Sequence, residues 1–399
     1  MIATEWPRNE ADELDAVQRV LASGQVNYWN GDEGRCFERE FAAFHDSPHG
    51  VVCANGTVAL ELALRAVGVG AGDEVVVTPR SFMATASSVV MVGAQPVFAD
   101  VEPESGNVTP ETVSAALSPR TRAILPVHLA GWPCDLPGLR ALADAHELAL
   151  VEDCAQAHGA RVDGHAVGSV GDSAAFSFCT DKILSTGGEG GMVLCRDEAV
   201  RRRAWNLKDH GRDWDAVYNR EHPEGFRWLN ESFGTNGRLT EMQSAIGRVQ
   251  LGKLPQWLAA RRRNAGVLIE RLADVQGLRV PVPSEGIEHA WYKFYAFLRP
   301  EELAEGWDQD AVIGAIRAEG VPCLHGGCSE IYLEQAFHQP EGVRALGPDG
   351  VVLGPKNRLP VARELGETSL MLPVDHTLSA DDMARMADGV VAVMRAATR

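Results

Sequence analysis

The sequence predicts an α/β protein: a mostly parallel seven-stranded sheet followed by a smaller α+β region. Three observations carry that reading. Short apolar runs alternate with stretches of helical periodicity through the first half of the chain, the pattern of strands covered on both faces by crossover helices. Glycine-rich and polar motifs fall just after those runs, where ligand sites gather in such sheets. From about Arg238 the alternation gives way to a long helical stretch and then a mixed region. A large domain is therefore expected over 1–255 and a small C-terminal one over 256–399.

Val51–Ala54 reads as the first strand, and Thr57–Ala66 follows with helical spacing. Glu74–Thr78 precedes a helix over Met83–Val92. Pro96–Asp100 precedes one over Pro110–Leu117, and Ala123–Val127 one over Leu136–Ala145. Leu148–Val151, Ala174–Phe178 and Gly191–Cys195 complete the strands. Leu239, Met242, Ile246, Val249, Leu251 and Leu254 then recur at helical spacing, predicting a helix over Arg238–Ala273 that Pro255 interrupts. Beyond it come a strand over Trp291–Leu298 and helices over Gln309–Glu319 and Ala380–Ala396.

Composition narrows the classes. The 37 basic residues against 55 acidic ones leave a net charge of −18, ill suited to unspecific nucleic-acid binding. No run approaches the roughly 20 apolar residues of a membrane span. The first residues lack the basic-then-apolar order of a signal peptide. Cysteines at 36, 53, 134, 154, 179, 195, 323 and 328 are scattered, several within apolar strands, as expected of reduced thiols in the cytoplasm. With no CxxC pair and no HExxH, no metal site is expected.

The chemistry points to residues at strand ends. Lys182 lies between an apolar run and a glycine cluster in Phe176-Ser-Phe-Cys-Thr-Asp-Lys-Ile-Leu-Ser-Thr-Gly-Gly-Glu-Gly-Gly191, a setting that favours a site over the solvated surface where lysines usually stand. Asp153 ends the run Leu148-Ala-Leu-Val-Glu-Asp153; alone it reads as readily as a helix cap. A lysine able to form a Schiff base and a carboxylate able to face a pyridinium nitrogen are the two groups that pyridoxal 5'-phosphate (PLP) chemistry most needs. Asn55-Gly56-Thr57 opens a helix directly after a strand, where free N–H groups and the helix dipole favour an anion such as a phosphate. Ser177 could add a hydroxyl there, and Phe82 could cover a cofactor ring; an N-cap, a strand serine and a core phenylalanine are the plainer readings of the same residues. Gly68-Val-Gly-Ala-Gly72 and Gly187-Gly-Glu-Gly-Gly191 both precede strands, so neither is a nucleotide-binding loop.

In their order and spacing these motifs resemble the DegT/DnrJ/EryC1/StrS aminotransferases, sugar aminotransferases of fold type I. The resemblance runs over nearly the whole chain, through Phe37-Glu-Arg-Glu-Phe-Ala42, Asn55-Gly-Thr-Val-Ala-Leu60, Gly93-Ala-Gln-Pro-Val-Phe-Ala-Asp100, Glu152-Asp-Cys-Ala-Gln-Ala-His-Gly159, the lysine segment and Gly234-Thr-Asn-Gly-Arg-Leu-Thr-Glu-Met-Gln243. It implies that Lys182 carries PLP and then moves a proton, that Asp153 pairs with the ring nitrogen, and that Gln156 contacts the ring's phenolic oxygen. Gly56, Thr57 and Ser177 would hold the phosphate, and Phe82 would stack on the ring. Asn236 would reach the site of the partner in a homodimer, with Arg238 nearby. Tyr28, Trp29, Asn30, Trp291 and Tyr292 lie near positions where the family meets its sugar, and core packing accounts for them equally well.

The reaction implied moves an amino group from L-glutamate to a keto-sugar, a nucleotide-linked 4-keto-6-deoxyhexose above all. Relatives that aminate cyclitols or make aminohydroxybenzoate are the nearest alternatives, and a PLP-binding regulator the alternative outside enzymes. The 3,4-dehydratase branch carries histidine where this chain has Lys182.

Overall fold

The computed structural model describes residues 2–225, 227–326 and 330–398, which leaves Cys328 outside the described residues. Its centre is a seven-stranded sheet: β1 (His49–Cys53), β2 (Glu74–Val77), β3 (Gln95–Phe98), β4 (Thr121–Leu125), β5 (Ala149–Asp153), β6 (Ser173–Ser177) and β7 (Gly191–Cys195). The spatial order is β1-β7-β6-β5-β4-β2-β3. Every neighbouring pair is parallel except the two made by β7, which runs against both β1 and β6. Reversing β7 brings its first residue to the edge where the other six strands end. Every residue of β2, β6 and β7 is buried, as their continuous apolar sequence requires.

Short connections with explicit caps set the intervening helices. Asn55 caps Gly56–Ala66 through Val58 N–H, Asp135 caps Leu136–Ala145 through Gly138 N–H, and Thr109 forms a reciprocal capping box with Thr112. The last helix spans only Pro110–Ser114, shorter than expected. The amides of Ala116 and Leu117 turn to acceptors three residues back, Val113 O and Ser114 O, so the chain has left the α-helix before it reaches Pro119 and β4.

Two helices near the N-terminus, Ala11–Ser23 and Glu33–Phe44, pack on the long helix Glu241–Leu272. Lys253 ties the first to it through Glu10, Asp12 and Glu13 at 2.7 to 2.9 Å. The long helix does not stop at Pro255; it runs through it. Leu254 on one side and Ala265, Leu268 and Leu272 on the other are buried, so packing on both sides offsets the one lost backbone hydrogen bond.

The C-terminal part carries a three-stranded sheet, Leu278–Arg279, Phe294–Leu298 and Ser369–Leu372, with helices Gln309–Ala318 and Ala380–Ala397 against it. Phe294, Ile313, Leu370, Met386 and Val390 share its core with Leu268 and Leu272. The strand begins at Phe294, three residues later than expected. Trp291 takes a left-handed backbone at φ 52°, and the amides of Tyr292 and Lys293 donate to Ala130 O instead of to a neighbouring strand. Between this sheet and its last strand the chain returns to the large sheet. Tyr332 and Phe337 pack edge-on against Phe98 at 5.7 and 5.6 Å, and Phe98 N–H donates to Leu346 O.

On the other face of the large sheet Phe176 packs against Phe41, His45 and His158, with ring centroids 4.9, 4.6 and 5.5 Å away. Phe176→Ala is expected to lower the unfolding free energy by about 3–5 kcal/mol, read from the shift of the urea midpoint.

Candidate active site

A cavity of about 810 Å³ opens at the edge where the parallel strands end. β1 supplies its anion-binding corner. Asn55 caps the helix with Oδ1 accepting from Val58 N–H at 2.9 Å, and Gly56 and Thr57, in the first helical turn, line the cavity. First-turn amides have no helical acceptor of their own. A β-carbon on Gly56 would stand 2.6 Å from Ser177 Cβ, so only glycine lets the helix start this close to the end of β6. Ser177 lines the same corner.

β5 supplies the floor. Asp153 is buried, its Oδ2 accepting from Thr85 Oγ1 at 2.8 Å and its Oδ1 from Ala155 N–H at 3.1 Å. Thr85 in turn shares a 2.7 Å hydrogen bond with Ser81. Burial pushes the Asp153 carboxyl up from its ordinary 3.8, and the Thr85 and Ala155 hydrogen bonds and the charge on Lys182 pull against that. The preceding residue, Glu152, faces the other way. It accepts from the amides of Gly168, Val170 and Gly171 and from His128 Nε2 at 3.0 Å. His128 Nδ1 accepts from Cys134 N–H, which puts the ring proton on Nε2.

One turn on, Gln156 Oε1 accepts from Ala130 N–H at 2.7 Å, which fixes the side chain and leaves its NH₂ as a donor. Lys182 lines the cavity with its ammonium 5.0 Å from the centre of the Tyr292 ring. Its carbonyl accepts from Trp6 Nε1 at 2.8 Å, and its amide donates to Cys179 O, so both sides of its peptide are tied down. Tyr292 donates its hydroxyl to Asp181. Burial and that carboxylate push the phenol well above its ordinary 10. Phe82 stands at the rim, 62 % exposed.

The cavity thus gathers Asn55, Gly56, Thr57, Phe82, Asp153, Gln156, Ser177, Lys182 and Tyr292. The other residues singled out in the sequence lie elsewhere. Tyr28 is buried, its hydroxyl on Glu38 at 3.2 Å and its ring under the Lys208 ammonium at 3.7 Å. Trp29 packs edge-on against Trp205 at 5.8 Å, and Asn30 is exposed. Trp291 stacks on His289 at 3.9 Å, away from the cavity. Asn236 is exposed in a segment laid beside the anion corner, where Gly237 O accepts from Ala54 N–H. Arg238 pairs with Asp209 at 2.7 Å. Thr85, Ser81, Lys293 and Tyr295 line the cavity with no motif to announce them; the hydroxyl pair Ser81 and Thr85, one helical turn apart beside Phe82, was the available signal.

This architecture, with its cavity at the strand ends, is that of the fold type I PLP-dependent transferases. Residues 7–391 match the model of the DegT/DnrJ/EryC1/StrS aminotransferase family. An aminotransferase from Psychrobacter cryohalolentis has the same fold with a TM-score of 0.93, 48 % identity and 99 % of both chains covered. The UDP-N-acetyl-3-dehydro-alpha-D-glucosamine 3-aminotransferase of Acidithiobacillus ferrooxidans is 39 % identical over 94 % of this chain and 91 % of its own. The L-glutamine:2-deoxy-scyllo-inosose aminotransferase of Streptomyces fradiae is 38 % identical over 98 % of this chain and 94 % of its own. The chain belongs to the DegT/DnrJ/EryC1/StrS family and is an aminotransferase, of a family of PLP-dependent enzymes. Among the described residues no helix is long and apolar enough to cross a membrane.

Asp153 has a consequence for the cofactor-free protein. An acid whose pKa is higher folded than unfolded keeps its proton in the folded state after the unfolded chain has lost it. Its contribution to stability therefore falls as pH rises from near 3.8 through the raised value. Asp153→Asn is expected to remove that fall, so unfolding free energies of the cofactor-free wild type and variant, measured from pH 4 to 8, diverge in the variant's favour as pH rises.

Proposed function

We propose that this chain binds PLP at Lys182 and transfers an amino group from L-glutamate to a keto-sugar, a nucleotide-linked 4-keto-6-deoxyhexose. The observation that carries the reading is the meeting of Lys182, Asp153, Gln156, Ser177 and the Gly56 helix start on one cavity in a chain of this family. The residues fit the cofactor. The corner between Gly56 and Ser177 is one that a single β-carbon would fill, and it presents amides and a hydroxyl to an anion. The buried Asp153 supplies the carboxylate for a protonated ring nitrogen, and Phe82 offers an uncovered face at the rim. When bound, PLP supplies the electron sink that lets an amino acid's Cα lose a proton.

The chain's own groups do the rest. Lys182 Nζ holds the cofactor, and on release takes the proton from one carbon and returns it to the other. Asp153, steadied by Thr85 and Ala155, keeps the ring nitrogen protonated. Gln156, held by Ala130, offers its NH₂ to the ring oxygen. Gly56, Thr57 and Ser177 fix the phosphate and so the register of everything above it. The reading includes a cytoplasmic homodimer in which Asn236 reaches the partner's phosphate corner.

The Streptomyces fradiae relative, matched over nearly its full length, supports a second reading, a cyclitol ketone as acceptor and glutamine as donor. Nucleotide-linked 4-keto-6-deoxyhexoses and 2-deoxy-scyllo-inosose, offered in turn to the aminated form, separate the two by which one restores the cofactor's absorption. The purified protein is expected to be yellow and to lose that band with L-glutamate. Lys182→Ala is expected to slow the loss at least about a thousandfold. A protein colourless after incubation with PLP, or a Lys182→Ala variant reacting at the wild-type rate, overturns the reading.

A further inference from the structure

We infer that Lys293 binds a carboxylate of the amino-group donor, with Arg80 behind it keeping that end of the cavity positive. The inference rests on the aminotransferase reading and adds the group that recognises the donor.

Lys182 and Lys293 are the cationic side chains that line the cavity among the described residues. Both ammonium groups lie against one ring, 5.0 and 4.8 Å from the centre of Tyr292, which holds the two nitrogens within about 10 Å of each other. Lys182 is committed to the cofactor. Lys293 is half-buried, and among the described residues its ammonium meets no carboxylate at ion-pair distance and makes no hydrogen bond. The nearby acid, Asp181, is engaged by the Tyr292 hydroxyl. Burial lowers the Lys293 pKa from its ordinary 10.5, and Asp181 opposes that. A partly desolvated ammonium with only a ring face against it is costly, and an incoming carboxylate offsets the cost.

Arg80 adds a second, independent observation. Lys293 and Tyr295 form the wall between the main cavity and a small one of about 20 Å³ that Arg80 lines. Arg80 is 1 % exposed, and among the described residues its Nε and Nη1 have no hydrogen-bond partner. The acid lining that small cavity, Glu104, is paired with Arg279 at 3.3 Å. Glu330, the other acid facing this region, is held by Arg358. The acids nearest Arg80 are thus each paired with another cation.

The donor's carboxylate fits better than the acceptor's diphosphate. An amino acid carries a carboxylate on the reacting carbon itself, and glutamate a second one a few bonds away. In a nucleotide sugar the whole sugar ring separates the diphosphate from the carbon to be aminated. A single ammonium against the same ring as the reacting lysine suits a lone carboxylate close to the reacting carbon.

The test uses the PLP-loaded protein and two variants, Lys293→Met and Lys293→Arg. Glutarate, a dicarboxylate without an amine, is titrated by calorimetry. The donor and acceptor half-reactions are followed separately by the cofactor band. Lys293→Met is expected to weaken glutarate binding at least tenfold, and to raise the glutamate concentration for half-maximal bleaching at least tenfold with a smaller effect on the limiting rate. Lys293→Arg is expected to recover most of both. Equal glutarate affinity in wild type and Lys293→Met overturns the assignment, as does a defect as large with the keto-sugar as with glutamate, which would move the residue to the acceptor. A wild type without the cofactor band overturns the reading beneath it instead.

Discussion

The parallel pairing of β5 with β6 is the constraint on which the rest of the site depends. Val151, Glu152 and Asp153 stand opposite Ser173, Ala174 and Ala175, and Cys154 N–H continues the ladder to Ala175 O. β5 ends at that register, whereas β6 runs two residues further, to Ser177. At the rise of an extended strand this offset sets Ser177 roughly 7 Å closer to the rim than Asp153. One carboxylate at the floor, one hydroxyl near the mouth and the Lys182 loop beyond it follow from a single choice of register. Strand alternation does the rest: Asp153 faces the cavity, and Glu152 faces inward to three backbone amides and His128. Two adjacent acids thus divide the work, one anchoring the loop Gly168–Gly171 and the other left for chemistry.

That division has an energetic side. Glu152 is saturated with donors, which is how a buried carboxylate is tolerated. Asp153 has Thr85 and Ala155 but, among the described residues, no cation in hydrogen-bonding contact, and its raised pKa records the shortfall. Phe82 exposes an aromatic face, and Arg80 and Lys293 keep charge without full compensation. Such local deficits concentrated around one cavity are the mark of a surface shaped for ligands and not for its own stability.

Much of this was legible in the chain. All seven sheet strands read out because strands buried on both faces are continuous apolar runs, and Gly56, Asp153, Ser177 and Lys182 read out because each closes or follows such a run. What stayed hidden was set by contacts between distant segments. Thr85 owes its place to β2 lying two strands from β5, and Lys293 to a backbone that leaves its strand to bond Ala130. Aromatic residues were the least informative: Tyr28 and Trp291 are packing elements and Tyr292 lines the cavity, and nothing in their local sequence separates them. The helices Ala11–Ser23 and Glu33–Phe44 lie outside the strand–helix alternation and owe their stability to docking on the long helix.

That long helix has mechanical significance. Its first half is buried with residues near the active-site cavity, and its second half belongs to the C-terminal core. At Pro255 the Leu251 carbonyl lacks its helical donor, so the rod is most compliant between its two attachments. The one missing backbone bond thus falls where the helix passes from one hydrophobic core to the other.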